Sequence, residues 1–240
     1  MKRKIQSFIH TEPHTSKAVA KLNWLRASVL GANDGIVSIA GLVLGVAGAT
    51  TSQGVIITAG IAGIIAGAIS MAAGEYVSVS SSRDTEKALM RKEREELKNF
   101  PEEELAELTA LYQAKGLTPS TASIVAKELT NHDAFAAHVD AELGIDPNNL
   151  TNPWHAAFAS AASFLAGAII PLVAILLPPE TLRVPVTFFS VLIALVITGV
   201  FSAKVGGAQV SKAVIRVVAG GALAMVVTYG IGRLFGINGV

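Results

Sequence analysis

Long apolar runs and one polar block divide the chain. Five runs are long enough to cross a bilayer core of about 30 Å, which takes about 20 apolar residues in a helix. They cover roughly residues 27–48, 55–79, 156–177, 184–203 and 213–235. A short uncharged turn over 49–54 joins the first two. The third ends in Pro178-Pro179, and the fourth begins just after Arg183. Arg216 and Arg233 bracket the fifth, where long basic side chains snorkel towards the interface. The pattern predicts an all-α membrane protein with five transmembrane helices.

The polar block lies between spans two and three. Residues 83–150 carry 14 acids and eight bases. The first of four predicted helices continues out of span two to about Asn99, and the second runs from Pro101 to Lys115. The third runs from Pro119 to about Thr130 and the fourth from His132, as its cap, to Leu143. Pro101 and Pro119 suit first-turn positions, and Gly116 and Gly144 suit C-terminal caps. The organisation expected is a tail over 1–22, spans one and two within 23–80, a helical domain over 81–152, and spans three to five within 153–240.

Charge sets the expected orientation. With the N-terminus inside, 17 of the 19 Lys and Arg fall on the cytosolic side, and only Arg183 and Arg233 lie outside. The inserted domain is then cytosolic and the C-terminus lies on the far side of the cell (inner) membrane. Residues 1–26 are polar and basic and lack the short apolar core of a secretory signal. Only 15% of the chain is charged, against about 25% in soluble domains. The absence of cysteine excludes disulfides, Cys-ligated zinc and iron–sulfur clusters. Neither a nucleic-acid partner nor an organic cofactor is expected.

Small residues recur four apart, as in Gly41/Gly45, Gly63/Gly67 and Ala159/Ser163/Gly167. Such spacing lets helices approach closely, either within one chain or at a dimer seam.

Candidate chemistry sits in two places. Asp34 heads a stretch with no further charge until Glu75, and a carboxylate at membrane depth costs about 2.5 kcal/mol or more. It binds an ion, carries a proton, or caps a broken helix beside Asn33 and Gly35. Met71 and Glu75 share a face of span two. Carboxylate oxygen binds most divalent cations, while a thioether favours softer transition metals over Mg2+ and Ca2+. Packing for Met71 and an interfacial position for Glu75, next to Tyr76, are the plainer readings. In the polar block, Glu93/Glu96 and Glu104/Glu107 are pairs three apart, and His138 and Glu142 are four apart. Carboxylates with an imidazole suit Fe, Mn, Co or Zn, and di-iron bundles use facing Glu helices in a similar way. A solvated acidic face paired with Arg91, Lys92 and Arg94 has the same pattern.

Three runs carry a resemblance. They are Leu25-Arg26-Ala27-Ser28-Val29-Leu30-Gly31-Ala32-Asn33-Asp34-Gly35, Ala66-Gly67-Ala68-Ile69-Ser70-Met71-Ala72-Ala73-Gly74-Glu75-Tyr76, and Ser163-Phe164-Leu165-Ala166-Gly167-Ala168-Ile169-Ile170-Pro171-Leu172. From about residue 22 the chain resembles the vacuolar iron transporter family in its bacterial form. The resemblance implies a five-span homodimer that exports Fe2+, and often Mn2+, in exchange for protons. It implies a transport site at Asp34 and Met71, and a cytosolic metal-binding domain using Glu93, Glu96, Glu104, Glu107 and Glu142. Zn2+ and Co2+ are further candidate substrates.

The chain departs from the family pattern at three places. Ala27 and Gly63 stand where some relatives carry acids, which brings Glu75 forward as a helper in proton coupling. His138-Val139 stands where the eukaryotic type has a methionine pair, which makes His138 a candidate ligand. The expectation is a secondary transporter, not an enzyme. The alternatives are a membrane-bound di-iron oxidase and a metal-storage or sensor protein.

Overall fold

The computed structural model describes residues 16–237, with side chains described for 27–236. Most of the expected N-terminal tail, with His10 and His14, lies outside the described residues. Seven helices are described: α1 (Ser16–Ala49), α2 (Gln53–Asn99), α3 (Pro101–Ala114), α4 (Pro119–His138), α5 (Pro153–Leu176), α6 (Glu180–Val205) and α7 (Val210–Ile237). A π-helical turn, Val139–Leu143, follows α4. Helices α1, α2, α5, α6 and α7 are long and apolar enough to cross a membrane. At 1.5 Å per residue the 47 residues of α2 extend about 70 Å, more than twice the apolar core of a bilayer. Its apolar stretch ends before Arg83, so its charged last turns lie beyond the spanning part.

The chain forms two compact units, Met1–Tyr76 with Trp154–Val240, and Val77–Pro153. In the first, α1 packs against α6 and α7, and α6 against α7. Ile36, Ile39, Ala40, Val43 and Leu44 of α1 are buried with Phe164, Ile175, Leu195 and Met225. Large apolar residues such as Phe158, Leu177, Phe189 and Ile193 are exposed, as a lipid-facing surface requires.

The small residues are used within the chain. A Cβ at Gly35 would overlap the Phe164 carbonyl, and one at Gly167 would overlap the Ala32 carbonyl. Gly45 approaches the Thr228 carbonyl and Gly67 receives the Phe164 ring. Gly35, Gly45 and Gly167 let α1 meet α5 and α7 backbone to backbone, the packing that lipid favours because it offers no hydrophobic drive between helices.

In the second unit, Leu108, Ala122, Ala126 and Val139 are fully buried, and the Arg94 guanidinium lies 4.3 Å from the Phe135 ring centroid. Pro101 and Pro119 occupy first-turn positions, and the Thr118 hydroxyl accepts from the Thr121 N–H. Gly144 takes the left-handed conformation at φ 62°, which glycine adopts without steric cost.

Two local expectations change. Helix α1 runs unbroken through Asn33-Asp34-Gly35, so Asp34 caps no break. The last two helices of the polar block join across a kink at Asp133, with φ −161° and ψ 95°. The cap there is Asp133, whose carboxylate accepts from the Ala136 N–H at 2.9 Å, and not His132.

Candidate functional site

Gly31 and Gly35 hold α1 against α5 on one side, where a Cβ at Gly31 would stand 2.8 Å from the Ser160 carbonyl oxygen. Asp34 lines a cavity of about 490 Å3 built from α1, α2 and α7. Asn33, Asp34, Met71, Arg216, Gly220 and Gly221 are among the lining residues. Spans one and two therefore deliver a carboxylate and a thioether to one space. Gly220 keeps the α7 wall low, with nothing within 4 Å of where its Cβ would stand.

The Ser38 hydroxyl donates to Asp34 Oδ1 at 2.6 Å. This bond steadies the carboxylate one helical turn along α1. Asn33 Oδ1 is shielded from solvent and has no hydrogen-bond donor among the described residues. Glu75 is half-buried on α2 and is not among the residues lining the cavity. Beside it, the Tyr76 ring lies 4.7 Å from that of Trp154, which lies 6.0 Å from Phe158. Such aromatic groups are common at membrane–water interfaces.

Arg216 is the lining residue that sequence reasoning placed elsewhere, as an interfacial bracket. Hydropathy reports that a charge ends an apolar run. It does not report which neighbouring helix the charge faces.

The second cluster lies in the Val77–Pro153 unit. Glu93, Glu104 and His138 are all buried, and each offers a ligand atom within 4.8 Å of the others. His138 Nδ1 is 3.0 Å from Glu93 Oε1 and 3.5 Å from Glu104 Oε2. Neither Glu93 Oε1 nor either His138 ring nitrogen has a hydrogen-bond partner among the described residues. Buried polar atoms are ordinarily satisfied. Three convergent ligand groups, with Glu93 Oε1 and both His138 ring nitrogens unsatisfied, fit a cation that would accept their lone pairs.

Burial pushes the Glu93 carboxyl up to about 7, with repulsion from Glu142 and Glu104 adding to it. Burial also raises Glu104, helped by Glu107 and Glu96. His138 is pushed below its ordinary value by burial, against the opposing pull of Glu142 and Glu107. All six groups therefore act in one electrostatic field. The Glu-x-x-Glu pairs do not point alike. Glu93 and Glu104 turn inward, whereas Glu107 is exposed and Glu96 pairs with Lys92 at 2.8 Å. Glu142 is exposed on the π-helical turn, a feature that recurs at functional sites.

The chain matches the VIT family over residues 25–233. It is 44% identical to a vacuolar iron transporter of Acanthamoeba castellanii over 94% of its own length and 84% of that protein. It is 37% identical to vacuolar iron transporter homolog 1 of Oryza sativa subsp. japonica, over 92% of its length and 78% of that protein. Identity to vacuolar iron transporter homolog 4 of Arabidopsis thaliana is 34%, over 92% and 88%.

Proposed function

The chain belongs to the VIT family, and from that premise we propose that it is a proton-coupled antiporter exporting Fe2+, and Mn2+ beside it, from the cytosol. Family membership and five helices long and apolar enough to span a membrane support metal transport by a multi-pass membrane protein. In the fuller reading the protein works as a homodimer in the inner membrane, with Val77–Pro153 as a cytosolic metal-binding insertion. Glu93, Glu96, Glu104, Glu107, His138 and Glu142 capture metal there. The metal then reaches the cavity that holds Asp34 and Met71, with Glu75 assisting proton movement.

The observation that carries this reading is the meeting of Asp34 and Met71 from different helices in one cavity. Oxygen and thioether together favour a divalent transition metal over Mg2+ or Ca2+. Moving one charge across 100 mV costs about 2.3 kcal/mol, so expelling a dication costs about 4.6 kcal/mol. Two entering protons would offset that electrical term and leave the pH gradient to drive export. Metal and proton competing for the Asp34 carboxylate is sufficient to couple them.

Purified protein in liposomes, under inward and outward pH gradients, should move Fe2+ and Mn2+ in the wild type and not in Asp34→Asn. Full gradient-driven flux in that variant sinks the mechanism. The buried Glu93–Glu104–His138 cluster supports a second reading, a metal store, sensor or di-iron oxidase. That reading expects binding or oxygen consumption by the full chain without flux.

A further inference from the structure

Arg216 lines two cavities. One is the Asp34–Met71 cavity. The other, about 450 Å3, is lined by Gln209, Lys212, Ile215 and Arg216 at the start of α7. Among the described residues Arg216 forms no ion pair, and the first turn of α7 contains no acid. The described residues lining the second cavity also include no acid, and Lys212 repels the guanidinium from that side. The positive N-terminal end of α7 acts in the same sense. Among the described residues Asp34 is therefore the one carboxylate lining either cavity, and the field biases Arg216 towards it.

We propose that Arg216 is a tethered counter-cation of the Asp34 cavity, which weakens metal binding there and speeds metal release. The proposal rests on the transport reading above. Among the described residues, Asp34 and Arg216 are the two charged ones lining the cavity, and together they sum to zero. A bound dication brings the total to +2. Without Arg216 the same states would be −1 and +1, so metal would be held more tightly and leave more slowly. The empty cavity would also keep a bare carboxylate in apolar surroundings, which is costly. The adjoining cavity gives the guanidinium room to withdraw when metal enters. Repulsion from Lys212 then favours its return.

The test measures Fe2+ transport by the full chain in liposomes under anaerobic conditions. Arg216→Gln should lower the metal KM about fivefold and lower the maximal rate by a similar factor, as expected for loss of a charge–dication repulsion across a partly hydrated cavity. Arg216→Lys should stay within about twofold of wild type, because it keeps the charge. The chain has no cysteine, so Arg216→Cys gives a unique thiol for a control within one folded protein. A trimethylammonium-bearing thiol reagent should restore wild-type KM, and a neutral reagent of equal size should not. An unchanged or raised KM in Arg216→Gln overturns the proposal, as does equal restoration by both reagents. No flux from the wild type under any gradient would instead overturn the transport reading itself.

Discussion

His138 Nδ1 stands 3.0 Å from Glu93 Oε1, yet the two atoms make no hydrogen bond. Both side chains are buried, and Glu104 Oε2 lies 3.5 Å from the same nitrogen. The aligned N–H···O geometry that would satisfy them is absent, while the separation suits donors converging on a cation.

His138→Gln keeps a polar side chain of similar size but removes the imidazole. It should weaken Fe2+ or Co2+ binding at this cluster by about tenfold or more, since even indirect partners of metal ligands are worth about 10- to 100-fold. Titration of the purified full chain with metal reads this directly. Unchanged affinity would remove His138 from the ligand set.

The pH response follows from opposed shifts. Glu93, raised from 4.5 to about 7, holds its proton more firmly in the folded state. Its stabilising contribution is complete below 4.5 and is lost as pH rises through about 7. His138, lowered from 6.5, acts in the other direction, since the unfolded ring binds the proton more readily and stability is lost as pH falls below 6.5. Above 6.5 the Glu93 loss dominates. Thermal melting of the metal-free protein should therefore move to lower temperature between pH 6.5 and about 8. Metal affinity should rise over the same window, because the cation replaces a proton. A metal-free protein that grows more stable across this range would contradict the assignment.

Met71→Leu nearly conserves volume, a change that usually costs less than about 1.5 kcal/mol of stability. Its effect on transport therefore isolates the sulfur. Fe2+ flux should fall about tenfold relative to wild type, and discrimination against Mg2+ and Ca2+ should narrow. Competition flux in liposomes measures both. Unaltered selectivity would assign Met71 to packing.

The close approach of α1 and α5 can be tested by adding single methyl groups. Gly35→Ala and Gly167→Ala would each place a Cβ against a carbonyl of the opposite helix, costing about 1–3 kcal/mol by overpacking. Gly74→Ala meets nothing within 4 Å and should gain about 0.5–1 kcal/mol from helix propensity. Thermal melts in detergent should separate the first two variants from the third. Three equal melting temperatures would mean that α1 and α5 do not need these glycines.

The spans were legible in the sequence, because a bilayer imposes one length scale on every apolar helix, and the five runs fall on α1, α2, α5, α6 and α7, the third passing the end of α5 by one residue. Turn chemistry is equally local, so Pro101, Pro119 and Gly144 marked helix ends from their own backbone constraints. The unbroken course of α1 was less legible, since Asn33-Asp34-Gly35 reads as a helix breaker until α5 is packed against it. Tertiary packing sets Glu93 inward while Glu96 pairs with Lys92. It alone brought Arg216 to the cavity of Asp34 and Met71. Periodicity fixes which residues share a helix face. Which face is buried, and what stands opposite it, depends on helices distant in sequence whose approach is set by the fit of glycines, carbonyls and rings.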